Sequence, residues 1–233
     1  MSYLHIENLY ASQEILLFRE CYALEKVHGT SAHIAFKPGE PARFFSGGAK
    51  HANFIKLFDH ENLSRVYAEQ FSDPVTVYGE AYGGKEQGMS RTYGPDMRFV
   101  VFDVQVGKRW LAVPNALDVA TKFGLEFVPY RQINTDLEAI DAERDSPSEI
   151  AVRRGIIEPL IREGVVLRPL IEVTMNNGER VIAKHKRAEF RERKSIPNID
   201  PAKRELLVNA ERIADEWVVP MRLQHVLQRI PEP

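Results

Sequence analysis

Leu24-Glu25-Lys26-Val27-His28-Gly29-Thr30-Ser31 is the stretch on which the fold turns. It sets one lysine three residues ahead of a glycine, beside an imidazole and two hydroxyls. An amine attacks only once it has lost its proton, and burial or a neighbouring positive charge favours that loss. Gly29 lets the backbone turn tightly and approach a ligand with no side chain in the way. A reactive amine next to bare backbone suits attack on a phosphate. The same eight residues also fit a surface lysine before a turn glycine, and the rest of the chain decides between the two.

Working outward, residues 21–25 read as a strand running into Lys26, and residues 31–36 alternate as a second strand. Lys37-Pro38-Gly39-Glu40 is turn chemistry, and residues 42–45 return as a third strand ending at Ser46-Gly47-Gly48. Upstream, Ser12 is placed to cap a short helix through Glu20. Downstream, residues 62–71 carry helical spacing, with Leu63, Val66, Tyr67 and Phe71 on one side. Residues 75–84 are β-rich and end in glycines, with Glu80 near the end. Residues 98–106 form a strongly apolar strand, and Gly107-Lys108 turns into a partner at 109–113. Helices are expected over 114–123 and 136–144, with another starting at Pro147.

Glu163-Gly164 stands at the mouth of a strand over 163–168. Residues 171–175 and 180–186, joined by Asn176-Asn177-Gly178, predict a hairpin. Lys184 and Lys186 are two apart, so in a strand they share one face. Two like charges on one face fit either solvent or an anion held between them. From Asp200 the pattern turns helical, with a break at Pro220, which predicts a helical appendage over 196–233 on a body spanning 1–195.

The composition fits this reading. The 233 residues are 44% hydrophobic and 27% charged, with a net charge of −2. That is ordinary for a globular chain with a sizeable core, and it excludes a uniformly basic nucleic-acid coat. The single cysteine, Cys21, excludes an internal disulfide framework and fits a reducing, cytoplasmic setting. The N-terminal residues lack the pattern of a signal peptide, and no stretch approaches the length of a membrane span.

The ordered set Lys26-Val27-His28-Gly29, Tyr78-Gly79-Glu80, Phe99-Val100-Val101-Phe102-Asp103, Glu163-Gly164-Val165-Val166 and Lys184-His185-Lys186 resembles the nucleotidyltransferase domain of ATP-dependent RNA ligases. The likeness is to the RNA ligase 2-like branch and covers residues 25–192. It implies an α+β fold of antiparallel sheets flanked by helices, the covalent nucleotidyltransferase (ATP-grasp-like ligase) fold. It also implies ATP and Mg2+ as cofactors, and RNA with 5′-phosphate and 3′-hydroxyl ends as partner. The sequence leaves the oligomeric state open, with a monomer as the expectation.

On that resemblance Lys26 would attack the α-phosphorus of ATP, with Lys184 and Lys186 gripping the α-phosphate. Glu80 would bind the ribose, Phe102 would stack on adenine, and Glu163 would hold the metal or its water. Glu25, Gly29 and Arg43 complete the expected ATP-binding set. Arg43 stands in for an arginine that the family carries on the hairpin after the nucleophile. Ungapped counting lands near Ser46 instead, where the glycine-rich turn offers backbone N–H groups to phosphate. Phe102 equally fits a core position, and His28 fits a loop-shaping or substrate role better than a metal ligand. The basic run 184–194 reads as a solvated face or as a track for an RNA backbone. A capping-type guanylyltransferase and a non-catalytic nucleic-acid-binding module are the alternatives.

Overall fold

The computed structural model describes residues 3–190. Nine strands and six α-helices are described: β1 (Glu20–Lys26), β2 (Thr30–Phe36), β3 (Arg43–Phe45), α1 (His51–Phe54), α2 (His60–Gln70), β4 (Val75–Tyr82), α3 (Ser90–Tyr93), β5 (Arg98–Val106), β6 (Arg109–Trp110), α4 (Val113–Lys122), β7 (Tyr130–Asn134), α5 (Leu137–Asp145), α6 (Glu149–Arg153), β8 (Gly164–Pro169) and β9 (Ala183–Lys186). The strands form two antiparallel sheets, ordered β7-β1-β8-β9 and β3-β2-β4-β5-β6. This is the α+β arrangement expected.

Local chemistry sets most boundaries. Asp59 accepts a hydrogen bond from Asn62 N at 3.0 Å and starts α2. Asp136 does the same for α5 through Ala139 N at 2.8 Å. Pro114 sits in the first turn of α4, where its missing N–H costs nothing. Val113, Ala116, Val119 and Ala120 recur at helical spacing and are buried where α4 packs on β5. The larger core runs from Leu24 and Val27 through Ile34, Val77 and Val101 to Phe123. A smaller one, around Cys21, Ala23, Ile140 and Leu167, lies beneath the first sheet.

Four expectations change. The helix after Ser12 is only a 3-10 turn, Glu14–Leu17. The strand expected over 109–113 shrinks to Arg109–Trp110, because Val113 already belongs to α4. The helix expected from Pro147 begins at Glu149 and is capped by Ser148, whose side chain accepts from Ala151 N at 3.1 Å. The hairpin over 171–186 closes only at its tip, through Met175 N to Glu179 O at 2.7 Å and Val181 N to Val173 O at 3.0 Å. Beyond that, Ala183–Lys186 leaves the hairpin and pairs with β8. β7, an edge strand beside β1, carries no sequence signal strong enough to be read locally. The helical appendage expected over 196–233 lies outside the described residues.

Candidate active site

Strand register delivers the first half of the site. Lys26 is the last residue of β1 and pairs with Gly164, which pairs in turn with Lys186. Three neighbouring strands thus set the two lysines on either side of a residue with no side chain. A Cβ on Gly164 would lie 2.2 Å from the His185 carbonyl oxygen, so nothing larger fits there. Both ammonium groups converge on Glu163, whose side chain is 1% exposed. Lys26 Nζ donates to Glu163 Oε2 at 3.0 Å and Lys186 Nζ lies 2.8 Å from Oε1. His28 Nδ1 lies 3.2 Å from Oε2. Burial alone would push the Glu163 carboxyl up, but the His28 ring, Lys26 and Lys186 outweigh it and hold the group at about 2. Glu163 is therefore ionised throughout the neutral range.

The second sheet supplies the facing wall. Glu80 sits on β4 opposite Ser31, and its Oε1 accepts from Gly29 N at 3.1 Å. A Cβ at Gly29 would lie 2.3 Å from the Ala81 carbonyl oxygen, so the space a side chain would need is taken by the neighbouring strand. Phe102 reaches the wall through a β-bulge. Tyr78 pairs with Asp103 and Gly79 with Val101, so Phe102 is the extra residue on β5. The bulge aims its ring at the site while Asp103 turns inward. Phe102 both packs against the core and lines the cavity. Between the sheets lies a cavity of about 250 Å³ bounded by Leu24, Lys26, Glu80, Phe102, Val166 and Lys184. The N-terminal residues 3–6 close one side of it.

The sequence profile of the RNA ligase family matches residues 19–186, which hold Lys26, His28, Glu80, Phe102, Glu163, Lys184 and Lys186. The chain belongs to the RNA ligase family. A search of curated proteins finds no match. Among solved structures, the RNA ligase of Naegleria gruberi with pyrophosphate is similar at a TM-score of 0.60 and 17% identity, over 82% of this chain and 57% of that one. A variant of that ligase with ATP and manganese gives a TM-score of 0.61 at 16% identity over the same shares. At such identity the likeness speaks for the fold. This RNA ligase family member spans little more than half the length of the structures it matches.

Within this ligase fold, the side chains of two residues in the expected ATP-binding set make other contacts. β1 alternates, so the Glu25 side chain faces away from that of Lys26. Its carboxylate takes Ser148 Oγ at 2.5 Å, Glu149 N at 2.9 Å and Ile150 N at 3.3 Å, and so anchors the start of α6. Burial raises the Glu25 carboxyl even against those donors. Glu25 borders the cavity, but its carboxylate is spent on α6. Arg43 does not border this cavity. It pairs with Glu40 at 2.7 Å, and its side chain is 59% exposed. Arg43→Ala is therefore expected to lower stability by less than about 1 kcal/mol, the ordinary worth of a surface pair, as read from its urea midpoint.

The family reading passes over a group just behind Phe102. Asp103 is fully buried on β5 and Arg168 nearly so on β8. Asp103 Oδ1 accepts from Arg168 Nη1 at 3.0 Å, and Oδ2 accepts from Arg180 Nη1 and Tyr3 Oη at 2.7 Å each. Glu172 takes the other ends of both arginines, and Arg180 lies over the Trp110 ring at 4.2 Å. The group ties one sheet to the other directly behind the Phe102 wall. Asp103 stood in a quoted motif without a role, and the signal for one was an acid inside an apolar strand.

Glu80 makes a testable pH dependence. Burial, opposed by Lys26 and reinforced by Glu163, pushes its carboxyl up to about 7. The folded chain then keeps a proton that the unfolded chain releases above about 4.5. The unfolded state binds fewer protons across that window, so stability falls as pH rises from about 4.5 to 7. Glu80→Gln is expected to flatten this fall. Urea midpoints of both proteins at pH 5 and 7.5 measure it, and equal pH slopes would count against a raised Glu80.

Proposed function

We propose that this chain carries out the nucleotidyl-transfer chemistry of an ATP-dependent RNA ligase. The observation that supports this most is the convergence of Lys26 and Lys186 on buried Glu163, beside a cavity walled by Phe102 and Glu80. In this reading the uncharged Lys26 amine attacks the α-phosphorus of ATP. An N–P bond forms, the bond to the bridging oxygen breaks, and pyrophosphate leaves. The adenylate then passes to the 5′-phosphate of an RNA end, and a 3′-hydroxyl attacks that phosphate and expels AMP. ATP and pyrophosphate, the ligands of the Naegleria structures, are the substrate and product of the first step.

The side chains suit those steps. Phosphoryl transfer is mostly positioning and charge neutralisation. Lys186 and Lys184 bring cations to the non-bridging oxygens from one strand face. Glu163 stays ionised and so orients Lys26 and Lys186, which leaves water or the departing phosphates to take the amine's proton. Phe102 offers a flat face to adenine, and Glu80, its carboxyl pushed up by burial, can exchange hydrogen bonds with the ribose. Magnesium would neutralise the leaving pyrophosphate. Among the described residues no three acidic, histidine or cysteine side chains cluster to hold it. Glu163 would then be its protein contact, through water or by releasing one of its cations, with phosphate oxygens completing the shell.

The test is incubation with α-labelled ATP, GTP and NAD in parallel, with magnesium, followed by denaturation. Label retained from ATP alone is the expected result. Label from GTP alone would point to a capping-type enzyme, and label from none would leave an RNA-binding module.

A further inference from the structure

A second cavity, of about 710 Å³, opens beside the first, along the edge formed by β2 and β3. The two share Tyr3 and Ser31. Its other walls include Thr30, His33, Phe45, Ser46 and His51, and no lysine, arginine or carboxylate among the described residues lines it. His33 and Phe45 stack with ring centroids 4.2 Å apart and planes 14° from parallel. His33 is 7% exposed, whereas Phe45 is 40% exposed.

The stack belongs to a longer row of rings. His33 meets Tyr78 at 5.3 Å, Tyr78 meets Tyr3 at 5.1 Å, and Tyr3 meets Phe102 at 4.9 Å. The row therefore starts at the wall of the Lys26 cavity and ends at Phe45, one face of which rests on His33. Burial pushes His33 down to about 4, so its ring is neutral near pH 7 and contributes no charge to the cavity.

We infer that Phe45 is a stacking platform for an unpaired base of the RNA substrate, next to the end being joined. This rests on the RNA ligase reading above. A groove with aromatic and hydroxyl walls but no fixed cation suits a base and ribose and is ill-suited to a phosphate. The base of ATP has Phe102, in the other cavity. Ser31, common to both cavities, would bring a nucleotide stacked on Phe45 close to the reacting phosphate. Stacking on one ring tolerates any base, which suits a ligase that joins ends of varied sequence.

The experiment measures binding of a single-stranded RNA with a 5′-phosphate and terminal 2-aminopurine at several salt concentrations. Wild type, Phe45→Ala, Phe45→Leu and Phe45→Trp are compared, each also tested for labelling by ATP. Phe45→Ala and Phe45→Leu are expected to weaken binding about 5- to 100-fold, as loss of one stacked base does, with the salt slope unchanged. Phe45→Trp is expected to bind as wild type. Leucine keeps an apolar side chain but no π-face, so a Leu variant that melts with wild type and binds weakly supports stacking. Equal affinity in all four proteins overturns the platform. So does a changed salt slope, which marks a phosphate contact. Failure of wild type to take label from ATP overturns the ligase reading instead, while the RNA comparison still reads Phe45.

Discussion

Lys26→Ala is expected to abolish retention of label from α-labelled ATP, by about a thousand-fold or more, the scale on which loss of a covalent nucleophile falls. The amine at residue 26 belongs to the lining of the cavity that also has Phe102, Glu80 and Lys184 on its walls. Alanine also frees Glu163 from one cation, yet leaves it His28 and Lys186. The control is Lys26→Arg. Arginine keeps a positive charge for Glu163 but never loses its proton near neutral pH, so it cannot attack. Both variants are expected to fold, with urea midpoints close to wild type, and neither to take label. Label retained by either would move the nucleophile elsewhere and end the reading. Glu163 itself fixes the acid side: its carboxyl, held at about 2, contributes stability above the ordinary carboxylate range that is lost as pH falls toward 2.

Asp103→Ala is expected to lower folding stability by about 3–5 kcal/mol, because it strips a buried counter-charge from two buried guanidiniums. Arg168 and Arg180 have side chains 1% and 5% exposed, and Asp103 meets both. Without it Glu172 is their one acidic partner among the described residues, and Tyr3 Oη loses its acceptor. Asp103→Asn keeps the shape and part of the hydrogen bonding, so its loss is expected to be smaller. Denaturant midpoints give both values. A change below about 1 kcal/mol for the alanine variant would mean that Glu172 alone satisfies the arginines. Because Asp103 follows the bulged Phe102, weaker ATP binding is expected to accompany the lost stability.

Much of the site was legible as strand arithmetic. Period-2 alternation placed Lys184 and Lys186 on one face, and β9 bears this out, with Ala183 and His185 buried on the other. Gly29 was read as a place for backbone to approach a ligand, and the structure instead sets it against the Ala81 carbonyl, while the equally tight fit of Gly164 against His185 had no reading in the sequence. Other features were closed to local reading. Residues 171–186 read as a hairpin, yet β9 gains more by completing the first sheet beside β8. Glu25 adjoins the nucleophile in sequence, but strand parity and the bare N–H groups of α6 draw its carboxylate away.

The sequence by itself determined most of the strands along the chain, the residue types that phosphate chemistry needs, and the shared face of Lys184 and Lys186. Only the tertiary structure decided that Glu163 bridges Lys26 and Lys186, that Arg43 points to solvent, and that Asp103 locks two sheets together behind Phe102. The physical reason is that side-chain direction follows from local backbone period, whereas which strands lie side by side is a choice among distant partners. That choice is settled by the core they bury and by the charges that burial forces into pairs.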